Sequence, residues 1–253
     1  TDLLVVAAPA LAWEQAERDA LARYLEEGGR LLLLVEPLPD DAREGMARAG
    51  LESLLGGYGV TLSDALALDP ATPILGFGAE VFYSLIEPGH PISESLADQA
   101  LIFNLARPLR VENLPGAETN AWVLAESSIE SWGETDLNSL ERGATRDASD
   151  EAGALTLAAA IESKAARLVV IGDASLATDE TFPVYAHRPF LMNSIAWLIE
   201  DEPALSLAPK ERNLTQLFLD EGEQFQLTLL ALVLMPGAAL LAGALTWWRR
   251  RRD

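Results

Sequence analysis

Residues 3–35 read LLVVAAPALAWEQAERDALARYLEEGGRLLLLV, and this stretch decides the fold. Leu3 to Ala7 is a continuous apolar run ended by Pro9, the pattern of a strand buried on both faces in a parallel sheet. Trp13, Ala16, Ala20, Leu21, Tyr24 and Leu25 recur at helical spacing, with Glu14, Glu17, Arg18 and Glu26 on the other faces. Gly28-Gly29 ends that helix, because glycine accepts the left-handed conformation of a helix C-terminus. Leu31 to Val35 is a second buried strand, stopped by Pro37. Strand, helix, strand in this order is a βαβ unit with a right-handed crossover. The unit is similar to those of flavodoxin-like and class I glutamine amidotransferase-like folds, so the expected class is α/β, with helices on both faces of the sheet.

Beyond it, the pattern supports an α/β domain over residues 1–205 with a loop-rich insertion at about 38–150. Leu51 to Tyr58 reads as a short helix leading into Val60 to Leu62. Ala100 to Phe103, Leu109 to Val111 and Ala121 to Ala125 read as strands, and polar Ser127 to Asp150 as a long surface loop. Leu155 to Ile161 and Arg167 to Ile171 read as an antiparallel pair. Pro189 opens a helix whose apolar residues cover most of its circumference, as in a helix buried in a large core or against a partner.

A linker is expected at 206–224 and a transmembrane helix at 225–248. Leu227 to Trp248 is uncharged; at 1.5 Å per residue it extends roughly 33 Å, enough for a bilayer core of about 30 Å. Trp247-Trp248 suit the membrane interface, and Arg249, Arg250, Arg251 and Arg252 form a positive-inside signal, which places the 249–253 tail in the cytoplasm and the domain outside. Pro236-Gly237 would kink the span, and Ala239 with Gly243 forms a small-xxx-small pair suited to close helix contact.

Charge and composition narrow the function. The net charge is −21; the last five residues carry +3, which leaves −24 on the remainder. So acidic a surface repels nucleic acid and excludes it as a partner. The chain has no Cys and only two His, His90 and His187, which excludes disulfides, Cys nucleophiles and multi-histidine metal sites. No nucleophile elbow, phosphate loop or dinucleotide fingerprint occurs, and no cofactor is called for. The remaining ligand-binding candidates are Asp173 and Ser175, just past a buried strand where open α/β sheets bind ligands, and His90 in Gly-His-Pro. Each has a structural alternative: Gly-Asp is good turn chemistry, Asp caps helices, and His90 sits in a loop pattern. Trp132 near Glu134 and Asp136 would suit a sugar, and Asn193 within an apolar helix would bond backbone or a ligand. Three readings follow: a non-catalytic scaffold, a membrane-anchored extracytoplasmic hydrolase or carbohydrate-binding protein, or a membrane-anchored ligand sensor.

Several short motifs carry a family resemblance. They are Tyr24-Leu25-Glu26-Glu27-Gly28-Gly29-Arg30-Leu31-Leu32 with Glu36-Pro37, Tyr58-Gly59-Val60, His90-Pro91-Ile92, Ser131-Trp132-Gly133-Glu134, Gly172-Asp173, and Asn193 to Leu198. In this order they resemble the auxiliary proteins of gliding-motility-type ABC transporters. The resemblance implies an N-terminal span and first strands ahead of Thr1, an extracytoplasmic region related to intraflagellar-transport-type and amidotransferase-like domains, and a C-terminal span. It also implies a non-enzymatic accessory role in the inner membrane, beside an ABC-2-type permease and its ATPase, with no catalytic residues carried over.

Overall fold

The computed structural model describes residues 1–39, 45–114, 118–140, 143–164, 166–200 and 229–251. The chain divides into two compact units, Thr1–Pro209 and Lys210–Asp253.

The first unit begins with the βαβ element: β1 (Leu4–Ala7), α1 (Gln15–Glu26) and β2 (Arg30–Leu34), with β1 and β2 parallel and Leu4 opposite Leu31. The end of α1 explains the Tyr-x-x-x-Gly-Gly motif. Gly28 takes φ +88°, its N–H donates to the Leu25 carbonyl (3.0 Å), and the Gly29 N–H donates to the Tyr24 carbonyl (2.8 Å). That pair of bonds is a Schellman motif. The Tyr24 hydroxyl then donates to the Arg30 carbonyl and accepts from the Arg30 N–H, both at 2.9 Å. Arg30 lies one residue before the β1 ladder begins, so a side chain supplies the pairing that β1 does not reach.

Next come α2 (Glu52–Gly56), β3 (Val60–Leu62), β4 (Leu66–Leu68), β5 (Val81–Ile86), β6 (Ala100–Asn104), β7 (Leu109–Val111), β8 (Thr119–Glu126), β9 (Trp132–Glu134), β10 (Glu151–Ala152), β11 (Thr156–Ser163), β12 (Ala166–Ile171) and α3 (His187–Leu198). The main sheet runs β1-β2-β12-β11-β8-β5-β6, with β7 attached to β11 and β3 to β7; β10, β9 and β4 make a second, three-stranded sheet. Only β1, β2 and β12 are mutually parallel, and the remaining pairings are antiparallel. The expected α/β class therefore holds as a mixed sheet.

Alternation along the buried strands divides the core. Leu31, Leu33, Val35, Leu168 and Val170 face Leu21 and Leu25 of α1 and Leu55 of α2. Leu32, Leu34, Val169 and Ile171 face Phe190, Leu191, Trp197 and Leu198 of α3. Helices thus cover both faces where the strands are parallel, and this double burial makes β2 and β12 read as unbroken apolar runs.

Three expectations are corrected. β1 is not buried on both faces: Val5 is 51% exposed, because β1 is the edge of the sheet. Residues 127–150 are not simply a surface loop. β9 lies there, buried at all three residues and paired with β4 and β10, because Trp132 and a hydrogen-bonded Glu134 pack inward. β5, buried at four of its six positions, lies in a stretch whose Pro and Gly suggested loop alone.

In the second unit, a π-helical turn (Leu230–Leu234) leads into α4 (Met235–Arg250), a 16-residue α-helix with Pro236 in its first turn. Proline lacks the N–H that continues an α-helical ladder, which accounts for the change of helix type there. No helix among the described residues is long and apolar enough to cross a membrane. Residues 225–228 of the expected span, and the linker 206–224, lie outside the described residues. Pro236, Gly237 and Gly243 lie in α4, as does Ala239, and Leu232, Leu240, Trp247 and Trp248 are all exposed. Arg249 and Arg250 close the helix, Arg251 stacks over the Trp247 ring at 4.5 Å, and Arg252 is outside the described residues.

Leu33 is 1% exposed between β1 and β12, so Leu33→Asp buries an unpaired charge and is expected to cost several kcal/mol in urea denaturation. Tyr24→Phe removes both bonds to Arg30 and is expected to cost about 1–3 kcal/mol.

Candidate functional site

In an open α/β sheet the ligand crevice lies at the carboxyl ends of the strands, where the connections switch faces. Here that point lies between β2 and β12. α1 covers one face before β2, and α3 covers the other after β12. Two carboxylates mark it: Glu36, two residues past β2, and Asp173, two residues past β12. Asp173 was singled out in the sequence for its place after a strand. Glu36 was not singled out as a site residue; its signal was its place two residues past the other buried strand, in Glu36-Pro37.

The crevice is filled by the protein itself. β12 ends at Ile171, and the Arg107 N–H donates to the Gly172 carbonyl at 2.7 Å. Thr156 of β11 then pairs with Leu109 of β7, so β7 takes over along β11 where β12 stops. A Cβ at position 172 would fall on the Arg107 carbonyl oxygen, and this close approach is the reason for glycine in Gly172-Asp173. Arg107 is itself buried. Its Nε donates to the Ser63 carbonyl (2.6 Å) and its Nη2 reaches the Asp64 carboxylate (3.1 Å).

Asp173 is 1% exposed. Its carboxylate accepts the Asn104 N–H (2.7 Å) and the Ser175 N–H (2.7 Å), the second capping the 3-10 turn Ala174–Ala177. Burial raises its carboxyl to about 6 against those N–H bonds, with the Glu36 charge adding a smaller push in the same direction. Burial also raises Glu36. Ser175 contributes its N–H to Asp173, and its carbonyl accepts from the Thr178 N–H and hydroxyl.

His90 lies elsewhere. Its ring packs on Trp122 (centroids 5.0 Å) and edge-on to Trp197 (4.8 Å), and its Nδ1 accepts the Ile92 N–H at 3.3 Å. Burial, with the Arg167 charge adding, lowers its pKa to about 4, so the ring is neutral at pH 7. Arg167 and Asp173 lie at opposite ends of β12, about 20 Å apart along the strand. Asp173 and Ser175 come together, and His90 does not join them.

The other candidates meet protein partners as well. Asn193 Nδ2 donates to the Ile92 carbonyl (2.9 Å) and Ser95 Oγ (3.3 Å), while Arg167 donates to the Trp197 carbonyl (2.9 Å) and stacks on its ring. The His-Pro-Ile and Asn-Ser-Ile-Ala-Trp motifs thus interlock in space. Trp132 is buried and its Nε1–H donates to Glu134 Oε2 (3.3 Å), while Glu134 Oε1 accepts the Asp136 N–H (2.9 Å). That buried ring presents no open sugar platform. Among the described residues no cluster of His, Cys, Asp or Glu is grouped to hold a metal ion.

What these features define is an α/β scaffold whose strand-end crevice is closed by its own chain. Residues 1–194 match the ABC transport auxiliary family, described as an ABC-type uncharacterized transport system, and the chain belongs to that family. The mmIFT52 N-terminal domain has a similar fold, with a TM-score of 0.56 at 16% identity over 79% of this chain and 77% of that one. A ThuA-like protein from Bacteroides uniformis matches at a TM-score of 0.46 and 15% identity, over 78% of this chain and 69% of that one. No curated protein matches.

The neutral, buried His90 has a pH consequence. Its folded pKa is about 4, below the ordinary 6.5, so its contribution to stability is complete above pH 6.5 and is lost as pH falls toward 4. Asp173, raised to about 6, acts in the opposite sense over an overlapping window, so the His90 share is read as the difference between the wild type and a His90 variant in denaturation at stepped pH. His90→Asn is expected to remove about one proton from the slope.

Proposed function

We propose that this chain is a non-catalytic accessory subunit of an ABC export system of the gliding-motility type, acting through its α/β domain. The observation that carries the reading is the family match over residues 1–194. The geometry supports it: the crevice that would hold a substrate in an α/β enzyme is taken by Arg107, Asn104 and β7, and Asp173 and His90 bear on opposite ends of one strand. ATP hydrolysis and the transport path belong to partner chains, an ATPase and an ABC-2-type permease.

The same proposal makes 225–248 a single membrane anchor in the inner membrane, with the acidic domain outside and the Arg tail in the cytoplasm. The exposed apolar side chains of α4 and of the turn before it, the Trp247-Trp248 pair and the Arg residues after it support this assignment. Gly237 has open space where a Cβ would stand, which leaves room for a neighbouring helix.

The test is purification of the full chain in mild detergent. Recovery of a multi-span permease and an ATPase is expected, with the association weakened by bulky replacements at Ala239 and Gly243. A chain that purifies alone and hydrolyses an ester or glycoside, with the activity lost in Asp173→Asn or His90→Ala, would overturn the reading. A reporter active only in the cytoplasm, fused after Asp253, is expected to be active. Replacing Arg249 to Arg252 by Ser should weaken that orientation.

A further inference from the structure

β6 is the last strand of the main sheet, yet its outer edge is sealed. The N–H groups of Leu105 and Ile86 bond Glu80 and Gln99 across the β5–β6 ladder, so residues 99, 101, 103 and 105 face β5 and residues 100, 102 and 104 face outward. All three outward residues are engaged by one segment, residues 173–187. The Ala186 N–H donates to the Ala100 carbonyl (3.1 Å). The Ile102 N–H donates to His187 Nε2 (2.9 Å), and the Asn104 N–H donates to Asp173 Oδ2 (2.7 Å). Where a neighbouring strand would offer carbonyls, this strap offers an imidazole and a carboxylate, each 1% exposed.

The tautomer of His187 follows from its partners. Nε2 must carry a lone pair to accept the Ile102 N–H, so Nδ1 carries the proton and donates to the Thr181 carbonyl at 2.9 Å. Imidazolium has no acceptor, so protonating His187 sets two N–H groups against each other. A protonated Asp173 still has an oxygen for Asn104. We propose that the strap is a two-ended latch on the β6 edge: acid releases its His187 end from Ile102 and leaves its Asp173 end on Asn104.

The ionisation directions agree with the geometry. Burial lowers His187, opposed by its Nδ1–H bond to the Thr181 carbonyl, and the nearest charge in sequence, Arg188, is exposed. The closed end at Ile102 therefore binds fewer protons than the released end below pH 6.5, and acid favours release. Asp173, faced by Glu36 from the end of β2, is raised to about 6. The Asn104 and Ser175 N–H bonds favour the carboxylate, but a protonated carboxyl keeps an acceptor oxygen, so acid does not open this end. Release at Ile102 would bare one backbone donor on an edge strand, the group to which an added strand bonds.

Hydrogen exchange of the full chain, resolved to single amides from about pH 7.5 to about pH 5 and corrected for intrinsic chemistry, tests this. Protection of the Ile102 amide is expected to fall by up to tenfold per pH unit below about 6.5, while that of Asn104, two residues away, is retained. His187→Gln keeps a neutral acceptor and should flatten the Ile102 response alone. Asp173→Asn keeps a neutral acceptor for Asn104 and should leave the Ile102 response unchanged. Two amides that lose protection together, as in global unfolding, would overturn the proposal even if neither variant folds. So would an Ile102 response that persists in His187→Gln.

Discussion

The structure depends on the parallel pairing of β2 with both β1 and β12. β2 has a ladder on each side and a helix layer on each face, so Leu31 to Leu34 are all nearly inaccessible to water. One partner is supplied within the βαβ unit. The other arrives more than 130 residues later, at Arg167 opposite Arg30. Loop closure over such a distance grows only with the logarithm of length, so the cost of the long intervening segment is modest beside the burial it permits. α3 packs on the second face against both β2 and β12.

The intervening segment spends its ends on that junction. β7 continues along β11 where β12 stops, Arg107 lies against Gly172, and Asn104 takes the Asp173 carboxylate. An α/β enzyme leaves this region open, because its loops must approach a substrate. Here the strand-end polar groups are consumed in holding the antiparallel half of the sheet to the parallel half. That arrangement favours a rigid scaffold, in keeping with an accessory role beside a transporter.

Buried charge is handled by direct pairing. Arg107 is matched by the Asp64 carboxylate and the Ser63 carbonyl, Asp173 by two N–H groups, and Glu134 by an indole and an N–H. Removing one partner of such a group strands the other away from water, so these residues act as pins between segments distant in sequence. The rest of the acidic charge lies mainly on the surface, where it favours solubility and disfavours polyanions.

The βαβ unit, its glycine-terminated helix, the β11–β12 hairpin and the apolar run at 227–248 were legible in the sequence. Each is a local pattern in which residue spacing reports burial directly. β5 and β9 were not, because Pro, Gly and carboxylates near them imitate loop chemistry until Trp132 and Glu134 are seen to satisfy each other. Val5 reads as buried, since an apolar run does not reveal that its strand lies at a sheet edge. Asp173 was legible as a strand-end carboxylate, but its two readings, ligand group or structural cap, share the same residues. Only the tertiary structure shows what that carboxylate meets, because Asn104 and Glu36 come from elsewhere in the chain. His90 and Asn193 were likewise visible singly. That they belong to one interlocked cluster, far from Asp173, follows from packing that no spacing along the chain encodes.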